Sequence, residues 1–99
     1  PQRRRRRHVS VRVQLPPVLR SVMGGERWLE ADGDSIAAVL ADLAKKHPAL
    51  GLHFFDEQSA IRRNIVFLHA SQLVRAREAD THALKPGDEI VLTNALAGG

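Results

Sequence analysis

The stretch "SIAAVLADLAKKHP", beginning at Ser35, constrains this chain more than any other. Ile36, Val39, Leu40 and Leu43 fall at i, i+3, i+4 and i+7, which places one apolar stripe along a single helical face. Asp34 or Ser35 stands where a side chain can cap the first turn. Lys45, Lys46 and His47 gather at the far end, where positive charge suits the helix dipole, and Pro48 stops the run. Only one long helix is therefore available, and its stripe must be buried against something else.

The something else is a sheet. "HVSVRVQL" alternates, with Val9, Val11, Val13 and Leu15 on one face and Ser10, Arg12 and Gln14 on the other, the pattern of a half-buried strand. Pro16-Pro17 ends it, and "VLRSVMGG" is a connection closing on Gly24-Gly25, where positive φ carries no steric penalty. "ERWLEA" reads as the hairpin partner. After the helix, "ALGLHFFDEQSAIRR" is irregular, with one short helical turn around Leu50 to Phe55. "NIVFLHA" is apolar on both faces, as a central strand requires. "SQ" turns the chain, "LVRA" is a short strand, and "READTHAL" has little regular pattern. "KPGDE" is a tight turn, and "EIVLT" is the last strand. The order is β-hairpin, helix, strand, short strand, strand. One long helix covers one face of a four- or five-stranded sheet, giving a two-layer α+β sandwich with its other face open to water or partners.

Composition narrows the function. Ninety-nine residues make one domain, and no repeat divides it. Cysteine is absent, which excludes a disulfide framework, a thiolate metal site and a cysteine nucleophile together. The five histidines, His8, His47, His53, His69 and His82, include no pair at metal-ligand helical spacing. No apolar run has the length of a membrane span or the form of a signal peptide, so a cytoplasmic, metal-free protein is expected. Of the net charge of +4, five positive charges sit on Arg3, Arg4, Arg5, Arg6 and Arg7, and the rest of the chain sums to −1. Basicity is thus an appendage, expected to be a solvated arm; no aromatic residues interleave with it to stack bases, and no nucleic-acid partner is expected. The chain divides into a disordered basic arm at residues 1–7, a domain at 8–94 and a flexible tail at 95–99.

A conventional catalytic site has no material here. "MGGERW" lacks the lysine and following helix of a phosphate loop. Asp32/Asp34 and Asp56/Glu57 lie in turns, where carboxylates serve as caps. Ser10, Ser21, Ser35, Ser59 and Ser71 have no nucleophile-elbow context. That leaves "NALAGG". A frayed end or a purification remnant can share a Gly-Gly ending. Two terminal glycines can also thread a channel that any side chain would block, presenting the Gly99 carboxylate far from the domain.

Three stretches, "GDSIAAVLADLAKKHPAL", "IRRNIVFLHASQLVR" and "LKPGDEIVLTNALAGG", resemble the ubiquitin-like sulfur carriers of the MoaD/ThiS family, over Val9 to Gly99. "VQLPPVLRSVMGG" and "ALAGG" look most similar to the carriers that feed a cysteine synthase. The resemblance implies a β-grasp fold and a cosubstrate with no catalytic side chains and no bound cofactor. An adenylyltransferase of the ubiquitin-activating type would use ATP to adenylate Gly99, and a sulfur donor would displace AMP to leave a thiocarboxylate. A sulfur-accepting synthase, such as a PLP-dependent cysteine synthase, would be the second partner. Molybdopterin, thiamin, thiolated tRNA and natural-product pathways draw on the same type of carrier, and a ubiquitin-like protein modifier shares the first step. The chain departs from the family pattern in three places. Ala70-Ser71 replaces an asparagine-glycine turn. His69 falls where an inward valine is usual and is read as a satisfied core or edge residue. The tail lacks proline-proline stiffening.

Strand alternation supplies the expected docking surface. With Ile65, Phe67, Ile90 and Leu92 turned to the helix, Val66, Leu68 and Val91 face the opposite side. These three are expected to form an apolar patch near the base of the tail, which Leu96, Ala97 and Gly98 extend into a partner's channel.

Overall fold

The computed structural model describes residues 9–94; the arginine arm and residues 95–99 lie outside the described residues. Five strands form one mixed sheet in the order β2-β1-β5-β3-β4. β1 (Ser10–Gln14) and β2 (Trp28–Asp32) make an antiparallel hairpin. β3 (Ile65–His69) and β4 (Gln72–Arg75) make a second one. β5 (Glu89–Asn94) lies between the hairpins, parallel to β1 and antiparallel to β3.

The long helix, α2 (Ile36–Lys46), crosses one face of this sheet. Of the two capping candidates Ser35 is used: its hydroxyl accepts the Ala38 N–H at 3.1 Å. The four stripe residues Ile36, Val39, Leu40 and Leu43 are fully buried, packed with Val11, Val13, Phe67 and Ile90 of the sheet. Asp42 fastens the helix to the end of β2. Its carboxylate accepts the Asp32 N–H and the Lys46 ammonium, each at 2.9 Å. Burial works to raise the Asp42 pKa, but the hydrogen bonds from Lys46 and Asp32 and the nearby lysine charges outweigh it and hold it below 3.8.

Two short helices lie where the sequence showed connections. Pro17, with φ already set for a first turn, opens α1 (Pro17–Arg20), which buries Leu19 and is held by Arg20 Nε–H donating to Leu15 O at 2.9 Å. Its exit runs through Gly24 and Gly25 at positive φ, as their sequence suggests. Pro48 stops α2 and opens α3 (Pro48–Phe54), extending the expected single turn into seven residues that bury Leu50 and Phe54. The "READTHAL" segment is also more ordered than its pattern suggests. A 3-10 helix at Ala76–Glu78 leads into a connection whose carbonyls brace the start of α2. Ile36 N–H donates to His82 O at 3.3 Å and Ala37 N–H to Ala79 O at 3.1 Å, while Leu84 N–H donates back to Asp34 O at 3.0 Å. The turn before β5 is pinned to β1 through Gly87 N–H on Ser10 O and Arg12 N–H on Asp88 O.

Candidate functional site

The strand that carries the chain toward residues 95–99 is the centre of the sheet. β5 is laddered to β1 through Glu89, Ile90 and Val91, and to β3 from Ile90 to its last residue, Asn94, which pairs with Ile65 at the start of β3. Leu92, Thr93 and Asn94, the residues that lead to the tail, are therefore paired with β3 and not with β1. Gly99, Gly98, Ala97 and Leu96 themselves lie outside the described residues. Five residues reach at most about 17 Å from Asn94.

Opposite α2, the sheet face is open, and register aligns one side chain per strand into a transverse row. Leu73 of β4 faces Leu68 of β3, Leu68 faces Val91 of β5, Val91 faces Gln14 of β1, and Gln14 faces Trp28 of β2. The row spans about 19 Å at the usual strand spacing. Leu73 is 54% and Leu68 42% exposed, while Val91, Gln14 and Trp28 are half-buried. Arg12 lies over the Trp28 ring, 4.3 Å from its centroid, and pairs with Glu89 at 2.9 Å, so the apolar row has a charged margin.

Of the three residues expected on this patch, Leu68 is exposed and Val91 half-exposed. Val66 is not available: it is 5% exposed. It does point away from the helix-side core, but β3 has a neighbour on each side, and Thr93 and Arg75 flank Val66 in register. Alternation correctly assigned its face; only the pairing of β3 between β4 and β5 shows that its neighbours close over it. Leu73 and Trp28 were missed. Alternation within "LVRA" makes either Leu73 or Val74 the outward residue, and the choice depends on the β3–β4 register.

A groove of about 340 Å³ lies beside Ile65, the residue paired with Asn94, and mixes apolar walls from Pro16, Val18, Leu19, Leu52 and Leu92 with the polar side chains of His53, Arg62 and Asn64. Val18 and Leu52 are 61% and 75% exposed. Among the described residues, no cluster of three or more His, Asp or Glu side chains could hold a metal ion. No described helix is long and apolar enough to cross a membrane. His69 is satisfied, as expected, with a partner on each ring nitrogen.

A five-stranded mixed sheet wrapped on one face around a single long helix, its central strand running out to the C-terminal residues, defines a ubiquitin-like β-grasp protein. The chain belongs to the ThiS family, whose sequence model matches residues 13–99. It is 28% identical over 93 residues to the sulfur carrier protein CysO of Mycobacterium tuberculosis strain H37Rv, covering 92% of this chain and 100% of that protein. The small archaeal modifier protein 1 of Methanosarcina acetivorans superposes with a TM-score of 0.73 at 30% identity, over 94% of this chain and 99% of the other. The Amycolatopsis orientalis BexX/CysO complex contains a chain with a TM-score of 0.73 at 26% identity, over 90% of this chain and 99% of that one.

Proposed function

We propose that this protein is a sulfur carrier: a cosubstrate loaded at the carboxylate of Gly99 by a partner enzyme and discharged by another. The observation that carries this reading is the ThiS-family match, which runs through Gly98-Gly99, together with alignment to CysO over that carrier's full length. In the first step a Gly99 carboxylate oxygen attacks the α-phosphorus of ATP, and pyrophosphate leaves. The acyl-adenylate makes the carbonyl carbon an electrophile, since AMP is a far better leaving group than oxide. A sulfide-level donor then adds to that carbon, the bond to AMP breaks, and the thiocarboxylate remains. The thiocarboxylate sulfur bonds to an electrophilic carbon of the acceptor, and water then cleaves the acyl group from the joined product, leaving sulfur on the acceptor and restoring the Gly99 carboxylate; cysteine biosynthesis is the pathway the CysO likeness favours.

The domain contributes no catalytic side chain to this cycle. β5 fixes where the tail starts, and the absence of side chains at Gly98 and Gly99 admits the backbone to a narrow channel. The Leu73–Leu68–Val91 row offers the activating enzyme a surface that needs no rearrangement. A cytoplasmic location would supply ATP and the partners. A second reading rests on the likeness to the small archaeal modifier protein 1. There Gly99 would be transferred from the same adenylate to a lysine amine.

Intact mass spectrometry separates the two. Incubation with ATP, the cognate activating enzyme and sulfide gives, for a carrier, a gain equal to exchanging one oxygen for sulfur. A modifier instead appears as an isopeptide conjugate on a second protein. Deleting Gly99 abolishes either product while leaving the melting temperature unchanged; a Gly99-deleted chain that still gained sulfur would overturn the assignment.

A further inference from the structure

His69 ends β3 on the same face as Phe67, toward the connection between β4 and β5. Its Nδ1 lies 2.8 Å from His82 Nε2, and its Nε2 lies 2.8 Å from Asp88 Oδ2. The two rings meet edge to face, 4.9 Å between centroids at 88°. The His69 and Asp88 side chains are 13% and 20% exposed, so water competes weakly for these bonds.

The donor order along this chain follows from Asp88. The Lys85 N–H donates to its carboxylate at 2.9 Å, His69 adds a second hydrogen bond, and the Asp88 pKa is held below 3.8 despite partial burial. An ionised carboxylate only accepts, so His69 Nε2 carries the proton and Nδ1 presents a lone pair. His82 Nε2–H therefore donates to His69 Nδ1, and His82 Nδ1 remains the one unused ring position. A first added proton goes there and leaves both bonds intact. A second would place N–H against N–H across 2.8 Å, which no tautomer relieves.

The surrounding charges do not alter this count. Lys85 and Asp88 belong to the turn. Glu78, upstream of His82, has its carboxylate on the Arg75 N–H at 3.0 Å. Arg12 and Glu89 pair on the outer sheet face. Asp34, ahead of α2, offers its carbonyl to Leu84.

We propose that Asp88, His69 and His82 form a one-proton latch, closed with neither or one histidine charged and opened by the second proton. Its mechanical consequence lies in the backbone of His82, whose carbonyl accepts the Ile36 N–H. Opening the ring contact frees the connection that braces the start of α2, so acidification loosens that end of the domain while the β1–β2 hairpin stays closed.

The test is side-chain nitrogen NMR of the two histidines with amide exchange, on the intact protein, followed through an acid titration. His82 gains a proton at Nδ1 while His69 keeps its Nε2–H tautomer. As the unfilled second site begins to matter, protection of the Ile36, Ala37 and Leu84 amides falls by up to about tenfold per pH unit, the limit for one linked proton. The Leu15 amide, bonded to Arg27 O in the first hairpin, is the internal reference. His82→Gln keeps a side chain that can donate to or accept from His69, so it folds and its protection does not depend on pH. Two charged rings with unchanged protection in the wild type would overturn the latch. So would a His82→Gln variant that loosens with acid as the wild type does.

Discussion

Ala70 and Ser71 carry strain that a glycine would relieve. They form the two-residue loop between His69 and Gln72, and their φ values are 52° and 67°. A type I′ hairpin turn needs positive φ at both central positions, which explains the usual preference for asparagine and glycine there. Ala70 has a Cβ in that region without a polar group to compensate. The pair Ala70→Asn and Ser71→Gly should therefore stabilise the protein by about 1–2 kcal/mol, the scale of one left-handed residue. Urea unfolding measures it; no gain would mean the turn is held open in solution. The sequence departure was legible, but only the backbone shows that the turn keeps its shape at a cost. Gly33 is the reverse case: its place just before the helix cap gives no sign of a close approach, yet a Cβ there would lie 2.7 Å from the Val39 nitrogen.

Elements here are held by their ends. Ser35 caps α2 from the N-terminal side, so Ser35→Ala should lower stability by about 1 kcal/mol, read from chemical unfolding. At the other end, Asp42 has a folded pKa below 3.8 and Lys46 one above 10.5, the latter because the Asp42 hydrogen bond outweighs burial. The signs fix the window. The Asp42 contribution is fully present above 3.8 and is lost as pH falls through the lowered folded value. The Lys46 contribution is present below 10.5 and is lost as pH rises through the raised one. Asp42→Asn should therefore be less stable than wild type at neutral pH, and the difference should narrow on acidification below 3.8. Thermal melts of both proteins across that range check it; a constant gap would show that the carboxylate charge contributes nothing. The cap and the lysine-rich end were readable from spacing. The Asp42–Asp32 bond was not, because it joins residues whose proximity exists only once α2 folds back over β2.

At the scale of the molecule, the sheet face opposite α2 leaves Leu68 and Leu73 exposed. Leu68 stands at the middle of the outer row between Leu73 and Val91, and its exposure means that a charge there disturbs no core. Leu68→Glu should leave the melting temperature near wild type and weaken binding to the activating enzyme by about 1–3 kcal/mol, as for a modest interface anchor. Titration calorimetry with that enzyme decides it: unchanged affinity would remove the row from the docking surface. Local sequence determined the capped helix, its buried stripe and the strands, because periodicity and turn chemistry act between residues close along the chain. The fold class followed from there being one long helix to cover one sheet. The tertiary structure alone decided that β5 lies parallel to β1, that Val66 is closed over while Leu73 is open, and that His69 meets His82 and Asp88. Each of these depends on register or approach between segments far apart in sequence, which local pattern does not encode.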